Sequence, residues 1–239
     1  MHPVLPYKIV SCGDHAVTLD FGNEIDEAIN DRVLQLFHQI KQKNIIGVKD
    51  IIPAYSSLTV VYDVLAIHTR ISPSNVCAWV RQQIESTLAE EQEHRFNETR
   101  IINIPVCYGE IYAPDLYEIA EHNNMTPALV VQIHCSKQYR VFMLGFLPGF
   151  AYMGTVEKNI SMPRKTKPRI TVAAGSVGIA GLQTGIYPLE SPGGWNIIGQ
   201  TPLKLFDANK VIPALLQPGD IVQFFDVTEK EFEEIRSAQ

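Results

Sequence analysis

The sequence has few cysteines and no long hydrophobic run, and both absences exclude classes of protein. The four cysteines, Cys12, Cys77, Cys107 and Cys135, lie far apart and form no C-x-x-C pair. This spacing favours reduced thiols over a disulfide framework and argues against a metal site. The longest apolar runs fall far short of the roughly 20 residues that span a bilayer, and the N-terminal segment does not resemble a signal peptide. The sequence therefore predicts a cytoplasmic protein that does not enter a membrane.

Basic residues are also scarce, which argues against a nucleic-acid-binding protein. The chain has 20 Lys and Arg against 26 Asp and Glu, and its formal net charge is −6. Proteins that bind nucleic acid through its phosphates usually carry a basic patch. The length of 239 residues and the hydrophobic content of 46% are typical of a globular protein of one large or two small domains.

The first hundred residues alternate between strand and helix patterns. An amphipathic helix is predicted over residues 26–42, and a second helix carries Val76, Val80, Ile84 and Leu88 on one face, with Ser72 as its predicted N-cap. The strand candidates are residues 16–21, 47–52, 57–62 and 99–106. This βαββαβ order predicts a ferredoxin-like α/β domain.

Residues 89–100 are polar, charged and aperiodic, so we place the domain boundary there, with domains at 1–95 and 96–239. The second domain begins with two short helical segments, over 114–123 and 126–135. Ten of the 15 glycines then fall between Gly145 and Gly199, which is typical of short strands in a barrel or sandwich. A capping box of Thr228 and Glu231 predicts a terminal helix. The predicted fold class is α+β.

A cluster of cations at residues 163–169, "PRKTKPR", is the most informative charged segment. Arg164, Lys165, Lys167 and Arg169 stand out in an acidic protein. The prolines stiffen the segment, and arginine offers a planar fork that suits a carboxylate or phosphate. The alternative is a solvated surface loop.

Other candidate residues surround this cluster in the sequence. The segment "GFLPGFAYMG" at 145–154 contains two Gly-Phe pairs, which indicate either a turn or a backbone that approaches a ligand. Gly175, Ser176 and Gly181 could present main-chain N–H groups to an anion, although glycines at barrel corners look the same. Gln183, Tyr187 and Ser191 are polar residues on a rigid frame, and Trp195 is either a stacking wall or a core plug.

His134 lies at the end of a predicted helix, next to Cys135. A neutral imidazole could act there as an acid or base near neutral pH. The alternative is a histidine that caps the C-terminus of its own helix.

Long segments of the chain resemble the allophanate hydrolase subunit 1 family. The resemblance rests on "YRVFMLGFLPGFAYMG", "MPRKTKPRITVAAGSVGIAGLQTGIYPLESPGGWNIIGQTPLKLFD", "GDHAVTLDFGNEID", "IPVCYGEIYAPDL" and "LLQPGDIVQF", and it covers nearly the whole chain. The family includes the B subunit of the bacterial ATP-dependent 5-oxoprolinase and an inhibitor of the sporulation histidine kinase. The resemblance implies that the second domain is a cyclophilin-like β-barrel.

The resemblance also implies a function and partners. It implies a subunit of an ATP-dependent lactam hydrolase that opens 5-oxo-L-proline to L-glutamate and is inactive alone. The implied partners are a cyclophilin-like subunit 2-type protein and a third lactam-utilisation subunit, and ATP acts at the level of the complex. Arg164, Arg169 and His134 are then the expected catalytic residues, and Lys165, Gln183, Tyr187, Ser191 and Trp195 the expected substrate contacts. The alternatives are a regulator that blocks autophosphorylation of a sensor histidine kinase, and a peptidyl-prolyl-isomerase-like binder.

Overall fold

Two units, residues 1–98 and 99–239, make up the computed structural model of the protein. The structure describes residues 6–89 and 100–238. Most of the predicted boundary segment, residues 90–99, therefore lies outside the described residues. The first unit contains β1 (Lys8–Ser11), β2 (Ala16–Asp20), α1 (Glu27–Lys43), β3 (Val48–Pro53), β4 (Ser57–Tyr62), α2 (Val64–Ile71) and α3 (Val76–Ala89).

The sheet of the first unit has the order β1-β2-β4-β3, and every neighbouring pair is antiparallel. One face packs against the helices and buries Val17, Leu19, Leu58 and Val60. The predicted βαββαβ order is wrong at its last strand, because β1 occupies the edge beside β2. The strand predicted at residues 99–106 belongs instead to the second unit, where Ile104 and Val106 are buried in the second core.

The helix α1 confirms the predicted helix at residues 26–42, and Asp26 caps it by accepting a hydrogen bond from the N–H of Ile29 at 2.9 Å. The predicted cap of the next helix is wrong. Ser72 ends α2 in a left-handed conformation with φ of 53°, and Asn75 caps α3 by accepting from the N–H of Ala78 at 2.9 Å. The short helix α2, which Asp63 caps, was not predicted from the sequence.

The second unit is built on one long curved sheet. Its elements are β5 (Ile101–Val106), α4 (Leu116–His122), α5 (Pro127–Ser136), β6 (Gln138–Leu144), β7 (Ala151–Gly154), a 3-10 turn (Lys158–Ile160), β8 (Arg169–Val172), β9 (Ser176–Ala180), β10 (Gln183–Ile186), β11 (Ser191–Gly193), β12 (Asn196–Gln200), β13 (Ile221–Asp226) and α6 (Glu229–Ser237). The seven-stranded sheet has the order β12-β9-β10-β7-β6-β13-β5, and β11 pairs with β8 in a separate ribbon.

The two edges of the long sheet meet at one point. Cys107 follows β5, and its N–H donates to the carbonyl of Gln200 on β12 at 2.8 Å, while the N–H of Gln200 donates back at 3.0 Å. This bridge nearly closes the sheet into a barrel, so that its inward residues form one core. The mixed α+β class is thus confirmed, and the sheet of the second unit is a nearly closed barrel.

The helices of the second unit follow their capping residues. Thr126 caps α5, whose first residue is Pro127. Thr228 and Glu231 form the predicted capping box of α6. All four cysteines are free thiols. Across residues 6–89 and 100–238, no helix combines the length and the apolar character needed to cross a membrane.

Gly175 and Gly181 provide a matched pair for a stability test. Gly175 has φ of +82°, and a Cβ there would overlap the carbonyl oxygen of Thr201, whereas Gly181 has φ of +60° and no atom within 4 Å of such a Cβ. We expect Gly175→Ala to lower the free energy of unfolding by about 3 kcal/mol, and Gly181→Ala by about 1 kcal/mol from backbone strain alone. Urea unfolding followed by circular dichroism measures both, and equal losses would contradict the steric part of the argument.

Candidate functional site

The basic loop, residues 163–169, is paired in part with the protein's own carboxylates. Oδ1 of Asp115 lies 2.6 Å from Nη2 of Arg169 and 2.9 Å from Nζ of Lys165. Lys165 also lies 2.7 Å from Oε2 of Glu118. Two of the four predicted cations therefore have their charge balanced within the protein.

Asp115 remains ionised although its side chain is only 3% exposed. Burial alone would raise the pKa of Asp115, but hydrogen bonds from Arg169, Lys165 and the N–H of Ile197 outweigh burial and hold the pKa below its usual value. Burial likewise opposes the charge of Lys165, and its bonds to Glu118 and Asp115 raise the pKa of the amine. The cluster is thus a set of charged groups at neutral pH.

Arg164 differs from its neighbours in the loop because it contacts an aromatic ring. Its Cζ lies 5.7 Å from the ring centroid of Trp195, a cation–π contact. Arg164 is exposed, and in the described part of the chain it forms no ion pair. Its charge also acts on the neighbouring phenol: burial raises the pKa of Tyr152, and Arg164 opposes that rise. Arg164 is therefore the arginine of the loop that can receive an anion from outside.

Four aromatic side chains, which we call the aromatic floor, lie beneath Arg164. They are Phe150, Tyr152, Tyr187 and Trp195, and Phe150 lies 4.7 to 5.5 Å from the other three by ring centroid. A Cβ at Gly193 would overlap the hydroxyl of Tyr187, so the glycine makes room for this packing. Trp195 is 4% exposed, and its predicted role as a core plug accounts for this burial.

Phe146 lies on the same floor and was not predicted from the sequence as a site residue. Its ring is 5.7 Å from Phe150 and 6.5 Å from Tyr187, both edge-on. It is 62% exposed, and its φ of 66° is unusual for a bulky residue. The signal in the sequence was the Gly-Phe pair at the start of "GFLPGFAYMG", which proves to place one phenylalanine outside and the next inside.

The remaining polar candidates, Gln183 and Ser191, lie on strands of different sheets, β10 and β11. Gln183 is partly buried at the start of β10, where it pairs with Gly154 and Ala180. Ser191 is buried on β11, and its hydroxyl donates to the carbonyl of Pro192 at 3.2 Å. The structure brings Tyr187 and Trp195 together with Arg164. The hydroxyl of Ser191, in contrast, donates its hydrogen to the adjacent residue.

The glycine-rich segment does not form the expected anion-binding nest. The N–H of Gly175 donates to the carbonyl of Tyr187 at 2.7 Å, that of Ser176 to Ala173 at 3.2 Å, and that of Gly181 to Met162 at 2.7 Å. Because these donors are already used, Gly175, Ser176 and Gly181 do not fit a phosphate group. The geometry supports the barrel-corner alternative instead.

His134 lies in the core of the second unit, apart from the aromatic floor residues. It is fully buried and stacks on Phe224 with centroids 4.6 Å apart. Burial lowers the pKa of His134 from 6.5 to about 3. A neutral buried imidazole argues against the expected acid or base role, and its inward orientation argues against the helix-cap alternative.

A directed chain of hydrogen bonds surrounds His134. The hydroxyl of Thr184 donates to the carbonyl of Gly178 at 3.1 Å, so it accepts from Nε2–H of His134, also at 3.1 Å. Nδ1 then accepts from the hydroxyl of Tyr108 at 2.8 Å. We assign the Nε2–H tautomer from this pattern. Both ring nitrogens of His134 therefore have hydrogen-bond partners, and the residue has a structural role in the core.

A family model identifies the class of this protein. The model described as "Carboxyltransferase domain, subdomain C and D" matches residues 7–216, and the chain belongs to that family. Among curated proteins, the chain is 44% identical over 228 residues to the B subunit of 5-oxoprolinase from Bacillus subtilis (strain 168), with 95% of each chain covered. It is 38% identical over 219 residues to the B subunit of 5-oxoprolinase from Escherichia coli O157:H7, with 92% of this chain and 94% of the relative covered.

A solved structure supports the fold. The crystal structure of the Kluyveromyces lactis urea carboxylase matches with a TM-score of 0.75 at 22% identity, over 97% of this chain and 22% of that chain. At this identity the match shows the fold alone. In that protein the fold is one part of a much longer chain.

Proposed function

We infer that this protein is the B subunit of a 5-oxoprolinase. The observation that carries the inference is its identity of 44% and 38% to two proteins of that name, over at least 94% of the length of each. The reaction that we propose for the complex is the ATP-dependent opening of 5-oxo-L-proline to L-glutamate, in the cytoplasm. The protein is then a member of a hydrolase complex, and we propose that it is inactive alone.

The substrate carries two groups that the candidate site can recognise. Its carboxylate is an anion, for which Arg164 is exposed and has no ion pair in the described chain. Its five-membered lactam ring is flat and partly apolar, and Phe146 is an exposed aromatic ring on the same floor. We propose that Arg164 binds the carboxylate and that Phe146 contacts the ring, with Gln183 at the margin of the site.

The roles expected for the other cations are revised in this proposal. Lys165 and Arg169 already contact the buried carboxylate of Asp115, and drawing them toward a substrate would leave that charge unpaired at a cost of several kcal/mol. We therefore propose that Lys165 and Arg169 hold the basic loop in place and do not bind the substrate. Tyr187 and Trp195 hold Phe146 and Arg164 in place through ring contacts.

Ring opening also requires ATP, and we propose that other subunits of the complex bind it. The oxygen of water bonds to the lactam carbonyl carbon, the C–N bond breaks, and the nitrogen gains a proton to give the amine of glutamate. Coupling to the hydrolysis of ATP to ADP and inorganic phosphate makes the overall ring opening favourable. The donors of Gly175, Ser176 and Gly181 are used within the barrel, so we propose that ATP and its phosphates are bound by partner subunits, namely a cyclophilin-like subunit 2-type protein and a third lactam-utilisation subunit.

Reconstitution tests this function directly. The chain is expressed alone and together with the products of neighbouring subunit 2-type and lactam-utilisation genes, and release of glutamate from 5-oxo-L-proline is measured with and without ATP. We expect ATP-dependent release from the three-protein mixture and none from the chain alone or from the mixture that lacks it. Equal release with and without this chain would overturn the proposal. Inhibition of a sensor histidine kinase by the isolated chain would favour the regulatory alternative.

A further inference from the structure

Asp115 lies where three segments of the second unit meet. It precedes α4, and its Oδ1 contacts Lys165 and Arg169 of the basic loop. Its Oδ2 accepts a hydrogen bond from the N–H of Ile197 on β12 at 2.6 Å, and its own N–H donates to the carbonyl of Ile197 at 2.9 Å. The residue therefore ties the start of a helix, the basic loop and the strand that follows Trp195.

The main chain on either side of Arg164 is fixed to the residues on either side of Trp195. The N–H of Lys165 donates to the carbonyl of Gly194 at 2.8 Å. The side-chain amide of Asn196 donates to the carbonyl of Pro163 at 2.8 Å. Residues 163 and 165 are thus held against residues 196 and 194, and this register places the guanidinium of Arg164 over the indole of Trp195.

The four charges of the cluster are balanced within the protein. Asp115 and Glu118 carry two negative charges and contact Lys165 and Arg169, which carry two positive charges. The loop's other two cations, Arg164 and Lys167, are exposed. Arg164 is therefore available to an anion, while hydrogen bonds at residues 163 and 165 hold its backbone.

We infer that Asp115 is a positioning residue, which fixes the basic loop through Lys165 and Arg169 and thereby holds Arg164 over the Trp195 ring. It contacts no substrate in this arrangement and acts through the loop. The positioning stands on these contacts alone, whereas its consequence for the affinity of the site rests on the proposed function.

Trp195 provides a spectroscopic readout on the isolated full-length chain. The chain has two tryptophans, so Trp79→Phe leaves Trp195 as the sole indole fluorophore. In this background Arg164→Ala removes the cover of the ring and is expected to raise the quenching of Trp195 by acrylamide. Asp115→Asn is expected to raise it by a smaller factor, because the bonds of Lys165 N–H to Gly194 and of Asn196 to Pro163 remain. Glu118→Gln removes the exposed carboxylate that contacts the same lysine, and is expected to leave quenching unchanged.

The outcomes separate positioning from general stabilisation. A folded Asp115→Asn protein with unchanged quenching would overturn the inference. Should Asp115→Asn not fold, Lys165→Met breaks the same link from its solvent side, and unchanged quenching in that variant would overturn it equally.

Kinetics of the reconstituted complex give the functional readout. We expect Asp115→Asn to raise KM for 5-oxo-L-proline by about tenfold with kcat little changed, because one charge-assisted contact is weakened in the ground state and the transition state alike. Raised quenching together with an unchanged KM would confirm the positioning and overturn the assignment of Arg164 to the substrate. A lower kcat with unchanged quenching would count against the positioning role.

Discussion

Arg164→Ala is expected to lower kcat/KM for 5-oxo-L-proline in the reconstituted complex by about 10- to 100-fold. The physical reason is the loss of one charge-assisted contact to the substrate carboxylate, which is worth about 1.5–3 kcal/mol. Arg164 is exposed and lies against the Trp195 ring, so the substitution leaves no buried charge unpaired. The stability of the isolated chain should therefore change little, and steady-state glutamate release measures the effect.

Lys167→Ala is the matched control for this prediction. Lys167 is an exposed cation of the same loop, three residues from Arg164, and its removal changes the net charge equally. We expect it to retain near-normal turnover, and Arg164→Lys to recover part of the loss as a point charge without the planar fork. Equal losses for both alanine variants would indicate general electrostatic attraction, and full activity of Arg164→Ala would remove the residue from the site.

His134→Ala is expected to lower the free energy of unfolding by about 3–5 kcal/mol, as truncation of a large buried ring does. The substitution leaves a cavity against Phe224. It also removes the ring nitrogen that accepts from the hydroxyl of Tyr108 and the N–H that donates to the hydroxyl of Thr184. Urea unfolding of the isolated chain at neutral pH measures the loss. His122→Ala, at an exposed position at the end of α4, is the control and should change stability little.

The pH dependence of stability gives an independent signature of the same residue. The pKa of His134 is about 3 in the folded protein against an ordinary value of 6.5, so between these values the unfolded chain binds one proton more than the folded chain. The free energy of unfolding contributed by this group is fully present above pH 6.5 and falls by about 1.4 kcal/mol per pH unit as the pH is lowered through the window. His134→Gln should lose this slope, whereas an unchanged slope would show that other groups cause it.

The helices were the most predictable part of the fold because their capping residues act locally. The starts of α5 and α6 are each determined within four residues of sequence, by Thr126 with Pro127 and by Thr228 with Glu231. The same local logic failed at Ser72, because a serine before a proline suits the end of one helix as well as the start of the next. Only the contacts of Ser72 with the preceding turn, to His68 at 2.9 Å, decide between the two.

The pairing of strands was less predictable, because an alternation of apolar residues indicates a strand but not which other strand it pairs with. Residues 101–106 have a strand pattern that suits either sheet, and they pair with residues 221–226, more than a hundred positions away. The same limit applies to the candidate site. The basic loop was found from its composition, yet the buried carboxylate that contacts both Lys165 and Arg169 lies some fifty residues earlier, at Asp115.

The position of β13 between β6 and β5 has a consequence for the order in which the protein folds on the ribosome. The sheet of the first unit has all of its strands once Tyr62 has been synthesised. The long sheet of the second unit lacks an interior strand until Asp226 has emerged, so the edge of β5 stays unpaired while about 120 further residues are synthesised. Domains generally fold as units during synthesis, and here the sheet of the second unit is completed only after residue 226, long after the sheet of the first unit.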